Sequence, residues 1–301
     1  MARGHGNTVD GSGWMFAAAG PWLFSLLVFF ALPLAGLFAL SLTDQGGLFS
    51  LANYATIADL SSGRIDVLIK TIRIGITVMA LSLCLAVPVA YFLAKILQSP
   101  RIESLILLLV SATFLAGPLV RTVSWRGILG VHGLINETLV QLGVIEAPIL
   151  SLLYGELAMT LSLTYNAFPF LLFTAYLSMK ALDDRLITAA LDLGATPSAA
   201  FFRVVLPLAA PGVVTGSVLV FVPTLSAVLE PEILGGTSSR LMATAIRDQF
   251  FHAHNWPLGA ALTVVLIVTG AVTIGVIALV TSLVLRACSR FGLSTGTASH
   301  V

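Results

Sequence analysis

Six long stretches of this 301-residue chain contain no Asp, Glu, Lys or Arg. An ionised side chain at the centre of a bilayer costs about 2.5–3.5 kcal/mol, so charge-free apolar runs mark membrane crossings. A helix needs about 20 residues to cross the hydrocarbon, with about 17 near the lower limit. The six runs are Gly11 to Thr43, Ile74 to Ala94, Ser104 to Val120, Leu157 to Met179, Val204 to Leu229 and Gln249 to Leu285. We therefore predict an all-α integral membrane bundle of six transmembrane helices.

The composition excludes several other classes of protein. Hydrophobic side chains make up 57% of the chain and charged ones 10%, whereas soluble domains carry roughly 25% charged residues. A net charge of +1, with only three lysines, provides no basic patch for nucleic acid. The two cysteines, Cys84 and Cys288, lie far apart in the sequence and indicate no disulfide framework.

The runs define one membrane domain, residues 14–287, between a Gly-rich tail at 1–13 and a second tail at 288–301. The first run is longer than the apolar region of a signal peptide, so we expect it to remain as an anchor. An even number of spans places both termini on one side of the membrane. Eight of the 15 Lys and Arg residues fall on that side, and the positive-inside rule then favours cytoplasmic termini.

The connection between the fourth and fifth runs, residues 180–211, is too apolar for a solvated loop. Its first half has the periodicity of an amphipathic helix. One face carries Leu186, Ile187, Ala190 and Leu191, and the opposite face carries Asp184, Arg185, Thr188 and Asp192.

Local signals divide this connection into two helices. Gly194 supplies the left-handed residue that ends the first helix, and Thr196 can cap a second helix with Pro197 in its first turn. We expect the second helix to stop at Pro207 and the fifth span to open at Pro211. Two interpretations remain open: a hairpin that lies on the lipid headgroups, or a docking element for a soluble partner.

The hairpin sequence TAALDLGATPSAAFFRVVLPLAAPG, residues 188–212, resembles the EAA loop of ABC importer permeases. The family pattern is Glu-Ala-Ala, three residues, Gly, and later an apolar residue followed by Leu-Pro. The matching residues are Ala189, Ala190, Gly194, Leu206 and Pro207, and Thr188 stands where the family usually has Glu. The segments LVRTVSWRGILGVHGLINETL (119–139), FVPTLSAVLEPEILGG (221–236) and NWPLGAALTVV (255–265) are similar to the spermidine/putrescine-type permeases, especially the first of their two permease subunits.

The resemblance implies a type I ABC importer permease fold in the bacterial inner membrane, with residues 181–210 as a cytoplasmic coupling hairpin. The implied partners are a second permease subunit in a heterodimer, two ATP-binding subunits and an extracytoplasmic substrate-binding protein. The implied coupling residues are Thr188, Ala189, Ala190, Asp192, Gly194, Leu206 and Pro207.

The chain itself has no signature of an ATPase, and we expect no cofactor or metal site in it. A P-loop needs Gly-Lys before Ser or Thr, and none of the three lysines follows a glycine. His252 and His254 form a His-x-His pair, but a metal site would need further ligands nearby.

Prolines inside three of the runs predict helix breaks that line a shared translocation path. They occur in Ala116-Gly117-Pro118, in residues 165–169 ending at Pro169, and in Val222-Pro223-Thr224. Unwound backbone at membrane depth is tolerated only where protein or a water-filled path satisfies it. A packing kink is the alternative for any one of them. The path candidates are Tyr165, Asn166, Phe168 and Thr224.

Two carboxylates flank Pro231 where the fifth run ends, and we expect both, Glu230 and Glu232, at the outer mouth of the path. Acidic groups at a mouth raise the local concentration of cations, which predicts a cationic cargo such as a polyamine. Ordinary pairing with Arg240 or Arg247 is the alternative for these two side chains.

The sequence offers three alternatives to a transport permease, and each lacks support. A secondary transporter would couple its solute to ions through an intramembrane carboxylate, and no Asp or Glu lies within the six runs except at their edges. A membrane scaffold would have no need of the hairpin. An intramembrane enzyme would need a motif such as His-Glu-x-x-His or Gly-x-Ser-x-Gly, and neither occurs.

Overall fold

The computed structural model describes residues 20–22, 24–236 and 239–294, and within these ranges the regular structure is helical. An isolated bridge between Thr43 and Phe49 is the β-type pairing found there. The α-helices are α1 (Leu32–Ser41), α2 (Ala52–Ala58), α3 (Arg64–Tyr91), α4 (Pro100–Ala112), α5 (Pro118–Leu129), α6 (Leu134–Gln141), α7 (Glu156–Lys180), α8 (Asp184–Asp192), α9 (Pro197–Ala200), α10 (Leu206–Leu225), α11 (Leu229–Leu234), α12 (Met242–Phe251) and α13 (Trp256–Ser294).

The core of the bundle is the mutual packing of α3, α7 and α10. Two glycines one turn apart in α10, Gly212 and Gly216, allow close approach to α7. A Cβ built on Gly216 would lie 2.2 Å from Thr174 Oγ1, and one on Gly212 would lie 2.3 Å from Ser178 Cβ. Small residues at this spacing are typical of transmembrane helices that pack with their backbones close together.

Among the residues that the structure describes, five helices are long and apolar enough to cross a membrane, and a bent pair raises the number to six. The bent pair, Pro100–Leu115 and Pro118–Gln141, turns through 98°. The six predicted runs are therefore confirmed as helical, but the third is a broken span rather than a straight one. The start of the first run, the tail at 1–13 and residues 295–301 lie outside the described residues.

The last run differs from the prediction at both ends. It was expected to start a span at Gln249, but α12 ends at Phe251 and α13 begins at Trp256. Between them the chain turns, with His254 at a positive φ and the Asn255 side chain accepting the backbone N–H of Leu258 at 3.2 Å. At the other end α13 continues to Ser294, beyond the end of the run at Leu285.

The prolines break the helices less often than the sequence suggested. The chain unwinds before Pro118, as predicted, and α10 ends at Leu225, two residues after Pro223. By contrast, α7 continues through Pro169. Proline fixes φ near the helical value and removes one N–H, and a transmembrane helix can accommodate that loss when neighbouring helices pack around it.

The expected stop at Pro207 and the expected start at Pro211 are both wrong, because the helix runs without interruption from Pro197 to Leu225. A π-helical turn, Phe201–Val205, leads directly into α10. Such a turn widens the helix and changes the position of the carbonyl that a following proline ring would strike. The second hairpin helix and the fifth span are therefore one rod.

Candidate functional site

The hairpin between α7 and α10 has the local structure that its sequence predicts. The Asp183 side chain caps α8 by accepting the backbone N–H of Arg185 at 2.9 Å. Past the end of α8, Gly194 has a φ of 87° and donates to the Leu191 carbonyl, and Ala195 donates to the Ala190 carbonyl. These two bonds form a Schellman motif, which fixes the angle at which the chain leaves the helix.

The second half of the hairpin starts as predicted. The Thr196 hydroxyl accepts the backbone N–H of Ala199 at 3.3 Å, and Pro197 occupies the first turn of α9. The second helix then continues into α10, so the hairpin and the bundle share one continuous helix.

A buried lysine ties the hairpin to the second span. Lys95 lies in the π-helical turn Phe92–Ile96 that ends the helix begun by α3, and its side chain is only 4% exposed. Its ammonium group donates to the Leu182 carbonyl at 2.6 Å and to Asp184 at 2.5 Å. Nearby, the rings of Tyr91 and Phe201 pack with their centroids 4.7 Å apart. The hairpin is therefore held by both polar and aromatic contacts.

A second polar group reinforces the same end of the bundle. Glu103, near the start of α4, is buried and accepts hydrogen bonds from Tyr176 and from Lys180 of α7, the latter at 2.7 Å. We call this end, with Lys95, Glu103 and the hairpin, the hairpin end. The other end carries α6, α11, α12 and the first turns of α7 and α13.

The tip of the hairpin presents apolar side chains to the surroundings. Leu193 is 89% exposed, and Leu186, Leu191 and Phe202 are also exposed. Of the predicted coupling residues, Thr188, Ala189, Asp192 and Gly194 are exposed, Ala190 is half-buried, and Leu206 and Pro207 are half-buried at the start of α10. The structure thus separates these residues into an exposed tip and a base that joins the bundle.

A polar cluster lies between α5, α7 and α11. Asn166 of α7 donates from Nδ2 to Glu230 Oε1 at 2.9 Å. Thr122 of α5 lies 3.4 Å from the same oxygen, and its hydroxyl also donates to the Pro118 carbonyl at 2.9 Å. Glu230 is 7% exposed. The structure therefore brings together two predicted path residues, Asn166 and Glu230, and adds Thr122.

This cluster lies beside the middle of α7 rather than at its end. Asn166 lies ten residues after Glu156 in α7, about 15 Å along the helix. Glu230 therefore lies beside the middle of α7. The reason is that α10 ends at Leu225 and α11 begins at Leu229, so the fifth helix ends before the apolar run does.

The two broken spans meet at the cluster. Thr122 lies in the second turn of α5, just after the break at residues 116–117, and Glu230 lies in the first turn of α11, just after the break at 226–228. The helix breaks of the third and fifth spans thus lie beside the same cluster, while the fourth span contributes Asn166 from an unbroken helix.

Glu232 has a different environment from Glu230. It pairs with Arg247 of α12, which is the alternative that the sequence left open. Arg247 also contacts Asp248, and Arg240 pairs with Asp248. Burial raises the pKa of Asp248, but the hydrogen bonds from Arg247 and Arg240 outweigh it, and the net pKa lies below its usual value. Glu232 therefore belongs to an ionic network that joins α11 to α12.

The other predicted path residues are spread over different environments. Tyr165 is partly exposed and meets Trp125 of α5 edge to face, with ring centroids 5.9 Å apart. Phe168 packs against the main core. Thr224 is buried, and its hydroxyl donates to the Val220 carbonyl within α10. Of these three residues, Tyr165 is the one next to the cluster residue Asn166 in the sequence.

Sequence reasoning missed three residues that the structure brings to these sites. Lys95 directly follows the second apolar run, and in the sequence it served only as one of the basic residues that set the orientation. A lone lysine at the end of an apolar stretch could have indicated a buried anchor. Thr122 and Trp125 lie at i and i+3 in α5, on one face of that helix. The predicted break before Pro118 could have indicated that this face lines a polar site. The contacts of Thr122 with Glu230 and of Trp125 with Tyr165 join distant parts of the sequence and do not follow from residue spacing.

Membrane-crossing helices that bury a polar cluster between broken spans, and that expose a rigid hairpin at one end, define a transport permease. Residues 86–287 match the family described as binding-protein-dependent transport system inner membrane component. The chain belongs to this family and is a permease subunit of an ABC importer, as the hairpin sequence predicted.

Similar proteins support this membership. The spermidine/putrescine transport system permease protein PotB of Haemophilus influenzae is 36% identical over 198 residues, which cover 65% of this chain and 68% of that protein. PotB of Escherichia coli K12 is 32% identical over 218 residues, covering 72% and 78%. A chain of a bacterial ABC transporter that imports the acidic polysaccharide alginate shares the fold, with a TM-score of 0.68 at 16% identity over 93% of this chain and 97% of that chain.

Proposed function

We propose that this chain is one of two permease subunits, in a heterodimer, of an ATP-driven importer for a polyamine of the spermidine or putrescine type. The observation that carries the proposal is the hairpin: an element with an exposed apolar tip, continuous with the fifth span and tied to the second span by Lys95. An element with these properties transmits force between a soluble motor and a membrane path.

The motor in this proposal is a pair of ATP-binding subunits, one of which receives the hairpin, residues 181–210, in a surface groove. Thr188, Ala189 and Asp192 of α8 and Gly194 at its end face outward for this contact. ATP hydrolysis takes place in those partners. The permease contributes the path and the mechanical connection.

The orientation follows from the same partners. The hairpin end faces the bacterial cytoplasm together with both termini, and the opposite end faces an extracytoplasmic binding protein that delivers the cargo. Labelling of single cysteines tests this orientation. In a variant without Cys84 and Cys288, an impermeant reagent added to intact cells should label Ser61→Cys and spare Ser198→Cys, since these two exposed serines lie at opposite ends of the bundle. Labelling of position 198 from outside would contradict the orientation.

The cargo assignment rests on the PotB relatives and on acidic residues at the end opposite the hairpin. In the proposal, Tyr165, Asn166, Phe168 and Thr224 belong to the helices that form the path, and Glu230 favours a cation within it, whereas Glu232 is paired with Arg247. A path with few other fixed charges lets a cation leave once it has entered.

Reconstitution tests the proposed function. The complete importer, with its second permease, ATP-binding subunits and binding protein, is placed in proteoliposomes and supplied with radiolabelled spermidine or putrescine. We expect uptake that requires ATP and the binding protein. Uptake that an ion gradient drives without ATP, or import of an anion in place of a polyamine, would contradict it.

A further inference from the structure

The buried carboxylate of Glu230 has no cationic partner among the residues that the structure describes, since the ion pairs found there involve other acids. Its contacts are with neutral side chains: Asn166 donates to it at 2.9 Å, and the Thr122 hydroxyl, which donates to the Pro118 carbonyl at 2.9 Å, lies 3.4 Å away. An unpaired buried carboxylate is costly unless a counter-charge or several donors compensate for it. Glu230 therefore lacks a counter-charge, and a bound cation would supply one.

Two further acceptors on α7 have no hydrogen-bond partner among the described residues. The Asn166 amide nitrogen donates to Glu230, and its buried Oδ1 is one of these acceptors. The other is the hydroxyl of Ser162, a fully buried residue one turn earlier in α7. Residues at i and i+4 share one face of a helix, so the two groups lie on the same side of α7.

Basic residues near the cluster leave Glu230 unneutralised. Arg121 precedes Thr122 in α5, and its side chain leaves the helix about 100° away from that of Thr122. Two of its guanidinium nitrogens are buried and unpartnered, and it forms no ion pair within the described ranges. Arg247 is already paired with Glu232 and Asp248.

We infer that Glu230, Asn166 Oδ1 and Ser162 Oγ form a binding site for a primary ammonium group of the cargo, beside the middle of α7. An ammonium group has three donors, which match one carboxylate and two neutral oxygens. Trp125 and Tyr165, which contact each other beside the cluster, provide ring faces and edges for the methylene chain of the same ligand. This inference rests on the proposed import of a polyamine.

The neighbouring acids Glu230 and Glu232 have different roles. Glu230 binds the cargo, whereas Glu232 joins α11 to α12 through Arg247. The breaks at residues 116–117 and 226–228 border the cluster, so a displacement of α11 against α7 would open the ammonium site.

Two substitutions at one position separate a charge role from a packing role. Glu230→Gln keeps the size of the side chain and an oxygen for Asn166 Nδ2, but removes the charge. Glu230→Asp keeps the charge and is one methylene shorter. Initial uptake of radiolabelled spermidine is measured in proteoliposomes and divided by the amount of fully assembled complex. We expect Gln to reduce uptake by at least about tenfold, as for loss of a hydrogen bond to a charged group, and Asp to retain more uptake than Gln.

Glu232→Gln is the matched control, because it removes an acid two residues away whose pairing is partly exposed. Its uptake should stay within about twofold of the wild type, since exposed ion pairs contribute little. Uptake by Glu230→Gln equal to or above that of Glu230→Asp would overturn the ammonium site while leaving polyamine import intact. Failure of the wild-type complex to import any polyamine would overturn the proposed cargo as well.

Discussion

Gly194 holds the turn of the hairpin in a conformation that other residues adopt only at a cost. Its φ of 87° is left-handed, and a Cβ at this position would meet nothing within 4 Å. A substitution therefore acts through the backbone, at about 1 kcal/mol, and not through a steric clash. The residue sets the angle between α8 and α9 and hence the shape that a partner would meet.

Gly194→Asp should leave the protein inserted and assembled but reduce ATP-driven uptake by at least about fivefold, since 1 kcal/mol shifts a population by about that factor. The added carboxylate would also alter the exposed tip. Gly143→Asp is the matched control, because Gly143 is also left-handed with open space around it but follows α6 at the opposite end. Uptake per complex in proteoliposomes compares the two variants. Equal losses would show that the hairpin is not the transmitting element.

Residue-scale predictions succeeded where the determinant is local. Gly194, Thr196 and Pro197 act on backbone groups within a few positions, so their roles follow from residue type and order. The contact between Asn166 and Glu230 spans 64 residues of sequence, and no spacing rule reaches that far. The sequence therefore identified both residues as candidates without indicating that they touch.

At the scale of elements, α7 and α10 pack closely at Gly216. A Cβ there would lie 2.5 Å from Leu171 Cδ1 as well as against Thr174. Gly216→Val should therefore separate the helices and destabilise the purified subunit by about 1–3 kcal/mol, the usual cost of overpacking. Thermal unfolding in detergent provides the measurement. Gly275→Val in α13, where a Cβ meets nothing within 4 Å, should change the melting temperature much less; an equal loss in both variants would contradict the packing argument.

Lys95 connects elements that are distant in sequence, and its removal should loosen the hairpin. Lys95→Met keeps an apolar stem of similar length and loses the bonds to Asp184 and to the Leu182 carbonyl. We expect a loss of about 1–2 kcal/mol in local stability, seen as faster amide hydrogen exchange of residues 184–192. Arg185→Gln is the control, because it removes an exposed charge from the same helix. Unchanged exchange in Lys95→Met would show that the aromatic contacts alone hold the hairpin.

The position of helix breaks is the property of elements that the sequence predicted least well. Proline marks where a backbone donor is missing, but the surrounding helices decide whether the chain unwinds. Pro118 ends up at a bend of 98° and Pro169 within a continuous helix, although both lie inside apolar runs. Packing against α3 and α10, which sequence does not specify, distinguishes the two cases.

At the scale of the whole molecule, the class of protein was predictable because charge-free runs and the hairpin motif are both continuous in sequence. The position of each element along the bundle was not predictable. The third span turns aside and the fifth ends early, which places Glu230 beside the middle of α7. The molecule therefore has an ionic and aromatic base at the hairpin end, a tightly packed centre, and a polar cluster reached from the other end.

The most direct test of this account is a crosslink from the hairpin tip to its partner. A photoreactive residue replaces Leu193, which is 89% exposed, or in a parallel sample Leu60, which is 77% exposed near the start of α3 at the opposite end. After illumination of membranes that contain the assembled importer, position 193 should form an adduct with an ATP-binding subunit, and position 60 should form none. An adduct between position 60 and an ATP-binding subunit, or between position 193 and the binding protein, would contradict the account.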